Sequence, residues 1–304
     1  MDKPKIVLSR CFLEPVRYDG GIIVDEFVDR LKKYVEVVDI CPEVGMGLGI
    51  PRDRLIIVLN GEEKKLIQPD RGKDLTESIL GFSKETIERL PQVDGFLLKA
   101  KSPSCGVGST KLYRGDRVVG RTYGFFAHEV NTSFPYLPVE DEKRLKDPDI
   151  RAHFLTRIFA YAELRSLLEK DGPEALIDFH TRYRYLLFTY NQSMLRRLER
   201  LVARTDIFLE EKIRLYRDMF YRSFLRRPAS KRHLNTILHI VGQFPSRLNK
   251  REKSHLYTLI DKFEKDRIPL KPILEFIKSL AYRFGEEYVL IQKYIEPYPE
   301  ELDL

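Results

Sequence analysis

Ile6-Val7-Leu8 leads to Cys11, Val35-Glu36-Val37-Val38-Asp39-Ile40 leads to Cys41, and Gly95-Phe96-Leu97-Leu98-Lys99 opens the approach to Cys105. Each run is short, apolar and bounded by turn residues, the pattern of a buried strand. Parallel neighbours direct their carboxyl ends to one edge of a sheet, where α/β proteins build ligand sites. The chain's three cysteines would then meet at that edge, as in a metal centre held by three thiolates with one position open. Three unrelated core cysteines are the competing reading, because a free cysteine packs as a small hydrophobe. An odd cysteine count in a large chain argues against a disulfide framework, and there is no Cys-x-x-Cys pair of the structural-zinc kind.

Around these runs the first half alternates strand and helix signals. Arg54–Leu59 and Lys64–Ile67 flank Asn60-Gly61 and read as a β-hairpin. Asp74–Leu90 carries apolar residues at helical spacing and stops at Pro91, and residues 23–34 read as a further helix. Strand, crossover helix and strand recur, so the expected assembly is a doubly wound or three-layer, parallel-type α/β sheet.

From about Pro148 the pattern becomes long amphipathic helices over residues 150–170, 174–204, 207–226, 230–244, 249–265 and 270–283. Breaks fall at Asp171-Gly172-Pro173, Arg227-Pro228 and Pro269. The division predicted is an α/β domain over residues 1–145 and an all-α helical domain over 146–304, linked through the polar, Pro-containing stretch near Tyr136–Glu142.

At 304 residues with 43% hydrophobic and 33% charged, the chain is too apolar for disorder, and no apolar run reaches a membrane span of roughly 18 residues. No secretory signal is visible, which predicts a cytoplasmic protein with reduced thiols. Asn and Gln occur five times each beside many Lys, Arg and Glu, a balance found in proteins of hot environments. Residues 1–140 hold 21 basic and 21 acidic side chains, so the whole net charge of +7 lies in the remainder. A basic excess confined to one half suggests a polyanionic partner, with surplus solvated charge as the alternative.

Cys41 opens Cys41-Pro42-Glu43-Val44-Gly45-Met46-Gly47-Leu48-Gly49-Ile50-Pro51-Arg52. Pro42 fixes the backbone leaving the strand, and Glu43 puts a carboxylate beside the thiol, where a general acid or base is useful. The alternating glycines do not have the spacing of a dinucleotide fingerprint. Cys105 ends Ser102-Pro103-Ser104-Cys105-Gly106, whose hydroxyls can orient a polar heterocycle and whose glycine can present a backbone amide; an ordinary serine turn is the alternative. Cys11 sits in Ser9-Arg10-Cys11, followed by Val16-Arg17-Tyr18-Asp19-Gly20.

These three blocks, over about residues 4–145, resemble the thiouracil desulfidase family, with each cysteine in its own motif. The resemblance implies a 4Fe-4S cluster held by Cys11, Cys41 and Cys105, with one iron open to the substrate's sulfur. Glu43 is then the candidate general base or proton relay and Ser102 the candidate hydrogen-bond donor, with Arg10, Ser104 and Gly106 as candidate substrate contacts. In the second half, Phe179-His180-Thr181-Arg182-Tyr183-Arg184-Tyr185, Lys231-Arg232-His233-Leu234-Asn235 and Ile295-Glu296-Pro297-Tyr298-Pro299 resemble the helical domain often fused to this desulfidase domain. The fused proteins are linked to removal of sulfur from 4-thiouridine in tRNA and single-domain relatives to free thiouracil, so the resemblance implies thiolated tRNA, or a free thiolated uracil, as substrate.

Arg196, Arg200 and Arg204 recur at every fourth position and share a helix face, and Arg226, Lys231 and Arg232 belong to a second basic cluster; both are candidate RNA contacts. Solvated, ion-paired helix surface is the alternative for each. Tyr183, Tyr185, Phe188 and Tyr190 offer rings for an unpaired base, or core packing. Two other functions compete. A tRNA sulfur-inserting enzyme would need a nucleotide-binding loop, which the chain lacks, so no nucleotide cofactor is expected. A nucleic-acid-binding protein with a structural metal would bind without turnover.

Overall fold

A computed structural model describes residues 3–168, 172–244 and 247–303. Asp171 and the end of the expected helix at residues 150–170 lie outside the described residues. The chain divides into two compact units, one ending at Glu163 and taking back the chain from Glu301, the other spanning Leu164–Glu300.

The first unit runs β1 (Lys5–Ser9), α1 (Glu26–Leu31), β2 (Glu36–Ile40), α2 (Pro42–Gly45), β3 (Ile56–Asn60), β4 (Glu63–Gln68), β5 (Lys73–Asp74) and α3 (Thr76–Arg89). It continues through β6 (Gly95–Leu98), β7 (Thr110–Arg114), β8 (Arg117–Thr122), α4 (Phe125–Ser133), β9 (Val139–Asp141) and α5 (Pro148–Leu168), which crosses into the second unit. Four strands form a sheet in the order β2-β1-β6-β9, with every neighbouring pair parallel. The expected cysteine-bearing strands are its first three. All four residues of β6 are buried, which in a parallel sheet means that both faces are covered. Val7, Phe96 and Leu98 share a core with Phe126, Ala127 and Val130 of α4, with Phe82 and Ile87 of α3 packed against it. After β1 the chain adds β2 on one side and later β6 on the other, so the carboxyl end of β1 is a topological switch point.

The hairpin around Asn60-Gly61 forms, with Gly61 and Glu62 as its turn residues and Gly61 at φ 62°. It belongs to a second, five-stranded sheet, β5-β4-β3-β7-β8, rather than to the parallel one. Sequence periodicity did not separate this sheet. β8 (RVVGRT) is exposed at five of its six positions and so shows no buried stripe.

The second unit is helical: α6 (Gly172–Tyr190), α7 (Gln192–Ala203), α8 (Leu209–Ser223), α9 (Ser230–Val241), α10 (Lys250–Glu264), α11 (Lys271–Phe284) and α12 (Glu287–Leu290). The single helix expected over 174–204 is two helices. Asn191 adopts an extended backbone and its side chain accepts from the Met194 amide at 3.1 Å, capping α7 and ending α6. Of the four rings considered for base stacking, Tyr183, Tyr185 and Tyr190 are buried; Tyr183 stacks on Phe179 at 4.3 Å. No described helix is long and apolar enough to cross a membrane.

One histidine of this unit is buried, His180, and another, His233, is half-buried. His180 Nδ1 lies 3.0 Å from the Tyr216 hydroxyl and His233 Nδ1 lies 3.2 Å from that of Tyr294. Burial lowers each to about 4, with Arg184 adding to the effect at His180. Their ordinary value is about 6.5, so below that pH the unfolded chain takes up protons that the folded chain refuses. Their neutral forms favour the fold fully above about pH 6.5, and that contribution is lost as the pH falls toward 4. For His180 the loss is on the order of 3 kcal/mol. Thermal melts from pH 7 to 4.5 should therefore show a falling midpoint, and His180→Gln, which cannot ionise, should fall less steeply; equal slopes would refute this assignment.

Candidate active site

The switch point gathers the three cysteines. Cys11 lies in the 3-10 turn Arg10–Phe12 directly after β1, Cys41 is the N-cap of α2 directly after β2, and Cys105 sits in the turn that follows β6. All three line one cavity of about 380 Å³, together with Arg10, Glu43, Arg52, Lys99 and Ser102. That volume suits a small-molecule site with convergent polar groups.

The Cys105 turn is held by Ser102. Its hydroxyl accepts from the amides of Ser104 at 3.2 Å and Cys105 at 3.1 Å, and its carbonyl accepts from the Gly106 amide at 2.9 Å and the Thr110 hydroxyl at 2.6 Å. Glycine is required beside this turn for close approach: a Cβ on Gly106 would stand 2.2 Å from Thr110 Oγ1, and one on Gly124 2.5 Å from the Ser104 carbonyl carbon.

Glu43 is clamped at both oxygens. Arg52 donates from Nε, and its Nη2 also lies 2.8 Å from Oε2, while the Ser104 hydroxyl donates to Oε1 at 3.0 Å. The pair is well shielded, with the Arg52 side chain 4% exposed and that of Glu43 12%. Arg52 Nη1 is itself fixed by the carbonyls of Val16 at 3.0 Å and Gly49 at 3.2 Å. A second anchored cation faces Cys11. Lys99 Nζ donates to Glu142 Oε1 at 2.7 Å and to the Ala100 carbonyl at 2.8 Å, and Glu142 Oε2 accepts the Ala100 amide at 2.7 Å.

The thiols stand in surroundings that disfavour free thiolates. Burial, reinforced by Cys41, pushes Cys11 up to about 12, with Lys99 opposing it. Burial also raises Cys41 and Cys105; at Cys105 a hydrogen bond with Ser9 opposes the shift. Three such thiols suit a cationic group whose binding drives off their protons. Among the described residues no three His, Cys, Asp or Glu side chains close on a point tightly enough for a single ion. A cluster, by contrast, takes its thiolates on separate irons, so the donor set fits one.

The structure thus brings Cys11, Cys41, Cys105, Glu43, Ser102 and Arg10 to one cavity, with Arg10 Nε paired to Asp39 at 2.5 Å. Ser104 is fully buried behind Glu43, and the Gly106 amide is spent on the turn, so neither presents its polar group to a substrate as expected. Arg52, Lys99, Glu142 and Ser9 take no role on sequence grounds. Arg52 and Ser9 carried a signal, as members of the Cys41 and Cys11 motifs. The expected RNA contacts all lie in the helical unit and are exposed. Arg204 is tied to Asp206 at 2.7 Å, Arg200 Nε to the Arg196 carbonyl at 3.2 Å and Arg232 Nη1 to the Tyr190 carbonyl at 3.2 Å.

Two family profiles match separate parts of the chain. The profile of the 2-thiouracil desulfurase family matches residues 6–142, and that of a protein family of unknown function, DUF1722, matches residues 184–299. The uncharacterized protein YbgA of Escherichia coli (strain K12) is 30% identical over 155 residues, 49% of this chain and 90% of that protein. A solved structure of the 4Fe-4S-dependent thiouracil desulfidase TudS is 29% identical, covering 48% of this chain and 95% of that one, with a TM-score of 0.37.

Proposed function

The chain belongs to the 2-thiouracil desulfurase family through residues 6–142 and to the DUF1722 family through residues 184–299, and from that premise we propose that it removes sulfur from a thiolated uracil, its substrate being 4-thiouridine in tRNA. The observation that carries this reading is the convergence of Cys11, Cys41, Cys105 and Glu43 on one cavity. On this reading the unit that ends at Glu163 is the desulfidase part and the helical unit Leu164–Glu300 the RNA-binding part, working in the reducing cytoplasm where free thiols persist.

Cys11, Cys41 and Cys105 would hold a 4Fe-4S cluster, which when bound supplies a soft Lewis-acidic iron suited to a thiocarbonyl sulfur. The net reaction exchanges one water for one hydrogen sulfide and leaves a carbonyl, so no electron carrier is consumed. Glu43, held by Arg52 and Ser104, takes the proton from the attacking water. Ser102 lines the cavity and its hydroxyl oxygen is already an acceptor for two amides, which leaves its proton to donate to the base or to the departing sulfur. Lys99 and Arg10 add positive charge to the wall where negative charge develops.

The test is anaerobic purification with iron and sulfide counting, followed by incubation with thiolated tRNA and nucleoside analysis. Uridine should replace 4-thiouridine with release of sulfide. A colourless protein with one zinc, or a coloured one that leaves the thiolated base intact, overturns the reading. Arg226 and Lys231 are exposed, so Arg226→Glu with Lys231→Glu should weaken tRNA binding and reduce its salt slope by about 0.9 for each phosphate no longer neutralised, while free thiouracil turnover persists.

A further inference from the structure

The helical unit carries a second cavity, of about 150 Å³, walled by α6, α7 and α9. Arg184, Tyr185 and Phe188 face it from α6, Arg196 and Glu199 from α7, and His239 from α9. Elsewhere in this unit the rings of Phe179, Tyr183 and Phe220 are closed into the core, whereas this junction keeps aromatic surface open. Phe188 is half-buried and the exposed His239 ring lies 5.4 Å from it, tilted by 33°. Tyr185 meets His239 edge-on at 5.8 Å, and Gln243 donates to its hydroxyl, so the floor of the cavity is fixed.

The charges around this floor do not cancel. Glu199, the acidic side chain that lines the cavity, pairs with Arg184 at 3.2 Å. Arg196 is exposed on the adjacent turn of α7 and has no ion pair among the described residues, which leaves one cation beside an aromatic surface. The space is well below that of a drug-sized ligand site and matches a single heterocycle. A flat ring with an anion close to it is the ligand that an aromatic wall and one uncompensated guanidinium recognise together.

We propose that this cavity binds one nucleotide, with its base laid on Phe188 and His239 and its phosphate on Arg196. The site is separate from the cysteine cavity, and its occupancy is read by binding rather than turnover, so it stands or falls apart from the desulfidase reading. The nucleotide has two possible sources, a free mononucleotide or an unpaired residue of an RNA strand.

Uridine 5′-monophosphate, followed by calorimetry, and fluorescein-labelled hexauridylate, followed by anisotropy, distinguish the two on the full-length protein. Binding of the monophosphate identifies a free nucleotide, and binding of the hexamer alone identifies a strand. For whichever binds, Phe188→Leu, which keeps apolar packing but removes the π-face, should weaken affinity about tenfold, as loss of one base–aromatic stack does. Arg196→Ala should weaken it and lower its salt dependence. Both variants should keep the wild-type circular dichroism. Failure of both ligands to bind, or affinity unchanged in Phe188→Leu and Arg196→Ala, overturns the proposal.

Discussion

Cys11→Ser, Cys41→Ser and Cys105→Ser should each give a protein that cannot be loaded with iron, and each should lose desulfidase turnover to the detection limit. The three thiols stand on three different strand ends and line a single cavity, so no fourth cysteine exists to substitute for a missing one. A serine hydroxyl ionises far less readily than a thiol and is a harder ligand, which leaves two thiolates to hold the group. The surroundings sharpen the loss. Burial already raises all three thiols, so their ionisation depends on the cation they bind, and removing one ligand weakens the binding that keeps the other two ionised. Iron and sulfide content after anaerobic reconstitution, with the visible absorption spectrum, is the measurement. Circular dichroism guards against misfolding, above all at Cys105, which packs in the core beside Phe96 and Phe126. Full iron loading in any one variant removes that cysteine from the ligand set.

Cys11 and Cys105 were legible because a parallel strand buried on both faces announces itself locally, whereas β2, the edge strand that leads to Cys41, is buried only at Ile40 and was read from its Val-rich run. Ile6, Val7 and Leu8 are consecutive and all buried, and the loop that follows such a strand is where the fold places ligands. Glu43 was legible from its place two residues beyond Cys41, at the start of a helix. Its partners were not. Ser104 reaches it across 61 residues and Glu142 reaches Lys99 across 43, and nothing in local periodicity encodes a contact made only when β6 comes beside β1 and β9 beside β6. Ser104 and Gly106 illustrate the same limit from the other side. Composition marks them as polar groups near a cysteine, but only the folded turn shows that their donors are already engaged. In the helical half, apolar spacing runs through Asn191 without a fault, because the break depends on one capping side chain rather than on a change of pattern. The second sheet was hidden because its outer strand β8 is exposed at nearly every position.

Glu43→Gln should retain iron loading and fold yet lose at least roughly 100-fold in turnover at saturating substrate, the scale of a general acid–base group. The clamp makes this substitution unusually clean. Glutamine can turn its carbonyl oxygen toward Arg52, which donates to Oε2 in the native protein, and its amide toward the Ser104 hydroxyl, which can accept as well as donate. The side chain then keeps its place beside Cys41 and loses only the capacity to take a proton. Arg52→Ala provides the contrasting case. It strips a buried carboxylate of its counterion, and breaking such a pair costs about 3–5 kcal/mol, so stability and activity should fall together. The two variants thus separate proton transfer from positioning: a melting midpoint near wild type in Glu43→Gln and a clearly lowered one in Arg52→Ala. Near-native turnover by Glu43→Gln would show that the carboxylate serves only to anchor Arg52 and, through it, the two chain segments at Val16 and Gly49, and the proton would then have to leave through another group lining the cavity.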